Sequence, residues 1–81
     1  RYKLVGQNDK PVYELLYEYI RNDILTGKLV SGDRLPSKRN MASDNGISVT
    51  TVVNAYNQLL MEGYIKSFEK KGYFVSPPFP E

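Results

Sequence analysis

The sequence contains no cysteine and no histidine. The absence of cysteine excludes disulfide bonds and thiolate metal sites, and it fits a reducing cytoplasm. The absence of histidine removes the commonest general base and, with that of cysteine, the usual zinc ligands. No apolar run approaches the length of a membrane-spanning helix, and the N-terminus lacks the apolar segment of a signal peptide. We therefore expect a cytoplasmic protein without a membrane partner.

The chain is also short, at 81 residues. One small domain of this size leaves no room for both its own core and a deep catalytic cleft. The sequence has neither a glycine-rich loop that would cradle phosphates nor a paired-carboxylate constellation. Its apolar content, 41%, is ordinary for a chain that folds. We expect that these residues form no enzyme and hold no cofactor.

The net charge is only +2, but it is unevenly distributed. Acidic and basic residues balance over residues 1–27, whereas residues 28–75 contain seven basic and four acidic residues. The basic residues among residues 28–75 lie in loops and at the ends of predicted helices and strands. Such a distribution is compatible with a nucleic-acid partner, although many solvated surfaces share it.

Three segments have the signals of helices. Pro11 suits the first turn of a helix, and apolar residues then recur at helical spacing as far as Thr26, before Gly27. Ser37 and Ser48 are typical N-caps, and Asn45-Gly46 is a strong helix breaker between them. We predict helices over about residues 12–26, 38–44 and 49–62.

Short β-prone runs follow the third helix. Residues 64–67 and 73–76 predict the two strands of a hairpin, and the charged residues between them predict its turn. Arg34 and Leu35 are expected to form a minimal strand, because Pro36 favours an extended conformation before it. The predicted fold class is therefore α+β: a winged helix-turn-helix of three helices plus a small antiparallel β-hairpin wing.

The domain boundaries follow from the same signals. Residues 1–10 are expected to form an N-terminal arm and residues 11–76 the winged helix-turn-helix domain. Residues 77–81 are rich in proline and would begin a stiff linker to a C-terminal domain that this sequence does not contain.

Tyrosines contribute to the predicted core and its edge. The inward stripe of the third helix comprises Val52, Ala55, Tyr56, Leu59 and Leu60. We expect Tyr56, Tyr64 and Tyr73 at the core or its edge, with their hydroxyls reaching solvent. Tyr13 and Tyr17 fall on a second face of the first helix, where they are expected to be half-exposed; the alternative is a contact with another domain or subunit.

The third helix has the face that a DNA-reading helix needs, opposite its buried stripe. Its outer residues are Val49, Thr50, Val53, Asn54 and Asn57. Threonine and asparagine can hydrogen-bond to base edges or phosphates, and valine can contact a thymine methyl group. The helix start at Ser48 suits a phosphate. The basic residues at positions 34, 38, 39, 70 and 71 would bind the DNA backbone on both sides of this helix, as a clamp. The alternative is a winged-helix module that contacts proteins through Val49 and Val53.

Several motifs, in this order and spacing, resemble the GntR family of bacterial transcription regulators. They are the residues Gly32-Asp33-Arg34-Leu35-Pro36-Ser37-Lys38-Arg39, Gly46-Ile47-Ser48, Thr51-Val52, Ala55-Tyr56, Glu62-Gly63-Tyr64 and Gly72-Tyr73-Phe74-Val75. The resemblance runs from about Pro11 to Val75. It implies an N-terminal winged-helix DNA-binding domain, followed by a separate effector or oligomerisation domain.

Within that family, the segments Ala-Tyr-x-Gln-Leu and Lys-Gly-Tyr-Phe-Val look most like the MocR branch. Its members have a C-terminal domain similar to type I aminotransferases, which binds pyridoxal phosphate. The alternative is the branch with a short helical dimerisation domain. Either branch implies a homodimeric full-length protein that binds double-stranded DNA at paired half-sites.

The resemblance also implies roles for particular residues. Arg39, in the Pro-Ser-x-Arg motif, matches a position that contacts DNA; Ser48, Thr50 and Thr51 match the polar start of the recognition helix. Lys71-Gly72 matches the tip of a wing that often enters the minor groove. With the positions chosen from the residue pattern, the expected DNA-binding residues are Arg34, Ser37, Lys38, Arg39, Ser48, Val49, Thr50, Thr51, Val53, Asn54, Lys70, Lys71 and Gly72.

Overall fold

The computed structural model describes residues 10–76, which form three helices followed by a two-stranded antiparallel sheet. The elements are α1 (Val12–Leu25), α2 (Lys38–Asn45), α3 (Val49–Met61), β1 (Ile65–Phe68) and β2 (Gly72–Val75). This order confirms the predicted winged helix-turn-helix. The predicted linker and all but the last residue of the predicted arm lie outside the described residues.

Side-chain caps set the starts of α2 and α3, as predicted. Ser37 Oγ accepts a hydrogen bond from the Asn40 amide, and Ser48 Oγ accepts one from the Thr51 amide, each at 3.1 Å. Gly46 ends α2 in the left-handed region, at φ 66°, which glycine adopts without steric cost. Only residues 46–48 therefore separate α2 from α3.

The predicted helix ends were each wrong by one residue. α1 ends at Leu25 and α3 at Met61, because Thr26 and Glu62 are C-caps rather than helical residues. α2 instead continues through Asn45. The buried Asn45 side chain donates from Nδ2 to the Met41 carbonyl oxygen at 2.9 Å, which stabilises this last turn.

The core lies between α1 and α3, and α2 and the sheet close its sides. Leu16 and Ile20 of α1 and Val52 and Leu59 of α3 are fully buried. The predicted stripe of α3 is confirmed except at Leu60, which is half-buried at the edge. α3 thus has one face fixed in the core and the opposite face free for a partner.

The two strands of the hairpin each lie one residue nearer the turn than predicted. Ile65 pairs with Val75 and Phe68 with Gly72, so the strands are 65–68 and 72–75 rather than 64–67 and 73–76. Tyr64 is not a strand residue, because its amide donates to the Leu59 carbonyl at 3.0 Å and closes the end of α3. The turn is accordingly only three residues long.

The minimal strand predicted at Arg34 and Leu35 is present, and it joins β2. Arg34 forms an isolated antiparallel bridge with Phe74. The Leu35 amide donates to the Tyr73 carbonyl, and the Val75 amide donates to the Asp33 carbonyl, both at 2.8 Å. The wing is therefore tied to the chain segment that leads directly into α2.

Two predictions about tyrosine side chains were wrong. Tyr17 is buried, not half-exposed: its hydroxyl donates to a carboxylate oxygen of Glu62, and Arg21 Nη1 donates to that hydroxyl at 3.2 Å. Burial and the hydrogen bond to Glu62 raise the pKa of the Tyr17 phenol above its ordinary value. The Tyr56 hydroxyl does not reach solvent but donates to the Pro36 carbonyl at 2.8 Å.

Candidate nucleic-acid interface

The outer face of α3 is polar but uncharged. Thr50, Asn54 and Asn57 are exposed, and their spacing places them in one row along the helix, opposite the buried stripe. Val49, which is 43% exposed, and the half-buried Val53 border this row. α3 contains no lysine, arginine, aspartate or glutamate. The face can therefore offer hydrogen bonds and methyl groups, but no charge.

The start of α3 has its own hydrogen-bond arrangement. The hydroxyls of Ser48 and Thr51 lie 2.8 Å apart, and Ser48 also caps the Thr51 amide. Thr51 is half-buried. The amides of Val49 and Thr50 are in the first turn, where no earlier helical carbonyl is available to them. An anion at this helix start would meet those two backbone groups.

The first turn of α2 carries two cations in an unusual place. Lys38 and Arg39 directly follow the Ser37 cap, and the first turn contains no acidic residue. A helix N-terminus has partial positive charge, so acidic side chains are normally favoured there and basic ones are not. Helix stability therefore does not explain these two cations, whereas a phosphate bound at this position would be favoured by both the side chains and the helix dipole.

The wing tip brings two predicted site residues close together. Gly72 has a φ of 110°, and a Cβ atom built there would lie 3.2 Å from Arg34 Nε. The Arg34 guanidinium thus lies against the wing backbone. Lys70 and Lys71 are exposed in the turn, and Lys70 adopts a positive φ of 67°. Arg34 thus lies beside Gly72, the residue that directly follows the two lysines in the chain.

The basic side chains of α2 and the wing are not neutralised by neighbouring acids. Within residues 10–76, none of Lys38, Arg39, Lys70 and Lys71 lies within salt-bridge distance of a carboxylate. Lys10 differs, because its Nζ lies 2.8 Å from Glu18 Oε2 and that hydrogen bond raises the pKa of the Lys10 ammonium. The cations on α2 and the wing remain available for an external anion.

One residue that the sequence marked only as core joins all three parts of this surface. Tyr56 lies on the inner side of α3, its hydroxyl bonds to Pro36 just before α2, and its ring contacts Tyr73 of the wing edge-on at 4.8 Å. Helical periodicity predicts its burial but contains no signal for these two contacts. Tyr56 is therefore a positioning residue for the surface.

Other kinds of site are not found in the described part of the chain. Residues 10–76 contain no cluster of three or more acidic, histidine or cysteine side chains that could hold a metal ion. Nor does any helix in this range have the length and apolar character needed to cross a membrane.

A short turn between two helices, an exposed polar face on the second of them and a wing beside it define a winged helix-turn-helix. Residues 12–75 match the family described as bacterial regulatory proteins, gntR family. The chain belongs to the GntR family, as its motifs predicted.

Two relatives and one solved structure illustrate the similarity. The HTH-type transcriptional regulator YhdI of Bacillus subtilis is 44% identical over 86% of this chain and 16% of its own length. The probable rhizopine catabolism regulatory protein MocR of Rhizobium meliloti is 44% identical over 86% of this chain and 15% of its own length. This chain therefore spans about one sixth of these relatives.

The solved structure is the AraR DNA-binding domain in complex with operator ORE1. It has a TM-score of 0.79 and 26% identity, and the match covers 89% of both chains. The similarity to MocR agrees with the branch predicted from the sequence.

Proposed function

We propose that this chain binds duplex DNA sequence-specifically, as the N-terminal domain of a bacterial transcription regulator. In this proposal α3 lies in the major groove, and the wing, about residues 66–73, lies on the backbone or in the minor groove. The observation that carries it is the uncharged outer face of α3, flanked by unpaired cations on α2 and on the wing. The AraR domain, of similar fold, was crystallised with its operator.

The two kinds of residue have different tasks in this proposal. Lys38, Arg39, Lys70 and Lys71, with Arg34 beside them, bind phosphates and fix the position of the domain on DNA. Such contacts bind every sequence alike. Ser37 and Gly72 support them by capping α2 and by allowing the wing to approach closely.

The residues of α3 supply the discrimination between sequences. Thr50, Asn54 and the two valines face base edges, and Ser48 and Thr51 hold the helix start where its amides meet a phosphate. Each well-formed base contact discriminates by roughly 1–3 kcal/mol against the wrong base.

A charge-matched pair of variants tests this proposal. We expect Arg39→Ala to weaken binding to all duplexes by roughly tenfold or more, since a hydrogen bond to a charged group contributes about 1.5–3 kcal/mol. The salt slope should also become less steep by about 0.9. Lys28→Ala removes the same charge from an exposed position in the loop after α1, outside the proposed clamp, and should leave affinity unchanged. Fluorescence anisotropy at several salt concentrations measures both.

Equal effects of the two substitutions would contradict the placement of the clamp. A winged-helix module for protein contacts is the second candidate, and the exposed Val49 is the observation in its favour. Charge reversal of Arg39 and Lys71 to glutamate separates the two functions. It should abolish DNA binding but leave a protein contact through the valines largely intact.

We propose further that the full-length protein is a cytoplasmic homodimer that binds paired half-sites. The likeness to MocR supports a C-terminal aminotransferase-like domain, with pyridoxal phosphate bound there. No lysine of this chain is assigned to that cofactor. Light scattering of the full-length protein tests the dimer, and its absorbance and fluorescence test for bound pyridoxal phosphate.

A further inference from the structure

The outer face of α3 lacks the side chains that most often read guanine. Arginine and lysine, bidentate to guanine O6 and N7, make the commonest specific contacts in the major groove. All thirteen residues of α3 are uncharged at neutral pH. If α3 enters the major groove, its base contacts must come from hydroxyl, amide and methyl groups.

Methyl groups form a continuous patch at the start of this face. Val49 is 43% exposed, Thr50 is exposed, and Val53 is half-buried one turn later. Val53 adjoins both Val49 and Thr50 on the helix surface, because residues four and three positions apart are neighbours there. The described residues alone give no reason for an exposed valine here, since Val49 fills no core position and β-branched residues are weak helix formers. A partner with apolar groups of its own would provide one.

An amide adjoins the methyl patch. Asn54 is exposed and lies next to Thr50, one turn earlier on the helix surface. Asparagine makes bidentate hydrogen bonds to adenine N6 and N7, and the thymine C5-methyl group is the one apolar group that the major groove presents. The methyl patch and the amide together are complementary to the major-groove groups of an A·T base pair and its neighbour.

We infer that α3 recognises A·T base pairs: the methyl groups of Val49, Thr50 and Val53 contact thymine C5-methyl groups, and Asn54 binds adenine. The operator half-site is therefore read through thymine methyl groups rather than through guanine. This inference rests on the proposed function, because it requires α3 to lie in the major groove.

Replacing thymine by uracil tests the inference, since uracil pairs identically but lacks the methyl group. Binding sites are first selected with the 81-residue chain from a random duplex library and sequenced. The selected duplex is then made with uracil at single thymines, and affinities are compared by anisotropy. We expect each critical methyl group to contribute roughly a fourfold change in affinity, the equivalent of about 0.8 kcal/mol per buried methylene. Uracil at thymines outside the selected motif is the control.

The protein side of the contact is tested with Val49→Ala. The loss caused by uracil should shrink toward onefold in Val49→Ala, because the methyl group has then lost its partner. It should persist in Lys28→Ala. Thermal unfolding of each variant establishes that its fold is intact.

The outcomes separate this inference from the proposed function. A motif rich in A·T pairs with a uracil penalty that depends on Val49 supports it. A selected motif centred on guanine, or tight binding that uracil leaves unchanged, overturns it while the proposed function stands. No enrichment and no binding at low salt would overturn the proposed function itself.

Discussion

α3 and the wing tip are proposed to meet the same DNA, but the fold holds them very differently. The inner side of α3 contributes Val52, Ala55 and Leu59, all fully buried, and both ends of the helix are closed by caps. The wing tip, residues 69–71, is exposed and connects to the rest of the domain only through its two strands. One element is fixed by the core, whereas the other projects from it.

The difference matches two requirements of DNA recognition. Base discrimination needs donors and methyl groups at defined positions, and a helix anchored in the core provides them. Phosphate binding needs charge within reach, and long lysine and arginine side chains provide it with little positional demand. Specificity would thus belong to the rigid element and much of the affinity to the projecting one.

The largest expected effect concerns the rigid element. Thr50→Ala and Asn54→Ala should each relax specificity at particular base pairs, by roughly 1–3 kcal/mol of discrimination, while affinity for random duplex changes little. Sequencing of selected duplexes for each variant measures this loss position by position. A uniform fall in affinity for all sequences would mean that α3 contacts only the backbone.

The second prediction concerns the shape of the wing. Gly72→Ala should weaken DNA binding and destabilise the wing by about 1–2 kcal/mol, because the new Cβ meets Arg34 and alanine disfavours a positive φ. Lys70→Gly is the counterpart in the same turn. It suits the observed φ and should stabilise the fold by about 0.5–1 kcal/mol, although it removes one cation. Chemical denaturation measures the free energy of unfolding of both variants, and the two changes should have opposite signs.

A smaller effect is expected at the start of α3. Ser48→Ala should lower the free energy of unfolding by about 1 kcal/mol, because the Thr51 amide loses its cap. Ser48→Asp keeps an acceptor for that amide and should preserve stability, while its negative charge repels a phosphate at the helix start. Equal affinity of Ser48→Asp and the unmodified chain for DNA would show that no phosphate lies there.

The smallest effect is a pH dependence that arises at the other end of α3. The raised pKa of Tyr17 means that the folded state favours the protonated phenol. The hydrogen bond from the protonated phenol to Glu62 contributes about 1 kcal/mol to the free energy of unfolding. This contribution is fully present below the ordinary phenol pKa of 10.0 and is lost as the pH rises through the pKa of the folded state.

Denaturation curves from pH 8 to 11 test whether the stabilisation by Tyr17 falls as the pH rises. This range spans the ordinary phenol pKa of about 10. The stability difference between the unmodified chain and Tyr17→Phe should shrink toward the alkaline end. Tyr13→Phe, on the same helix, controls for the loss of a hydroxyl group. A difference that grows with pH would contradict the assignment.

Local signals predicted most of the fold. The caps at Ser37 and Ser48, the breaker at Gly46 and the apolar stripe of α3 each depend on neighbours within four residues. Each is confirmed, the stripe with the exception of Leu60. Contacts between distant residues could not be predicted in this way. Tyr17 was placed on the wrong kind of surface because its partner, Glu62, lies 45 residues away.

The candidate site divides along the same line. Residue type and order indicate candidate positions, because uncharged polar residues on one helix and cations around it are visible in the sequence; which of them contact DNA stays a prediction. The contact of Arg34 with the wing at Gly72 was not visible, nor was the role of Tyr56 in joining α2, α3 and the wing. Both depend on how the hairpin folds back, and the limits of its strands were themselves predicted one residue wrong.

The most direct test of the central claim is the salt dependence of binding to random duplexes, followed by sequencing of the bound fraction. If the five cations at 34, 38, 39, 70 and 71 each neutralise one phosphate, the slope of log K against log salt should approach about −4 to −5. We predict that steep slope together with an enriched motif, which the outer face of α3 selects. Absence of binding at low salt would contradict DNA recognition and favour the protein-contact module.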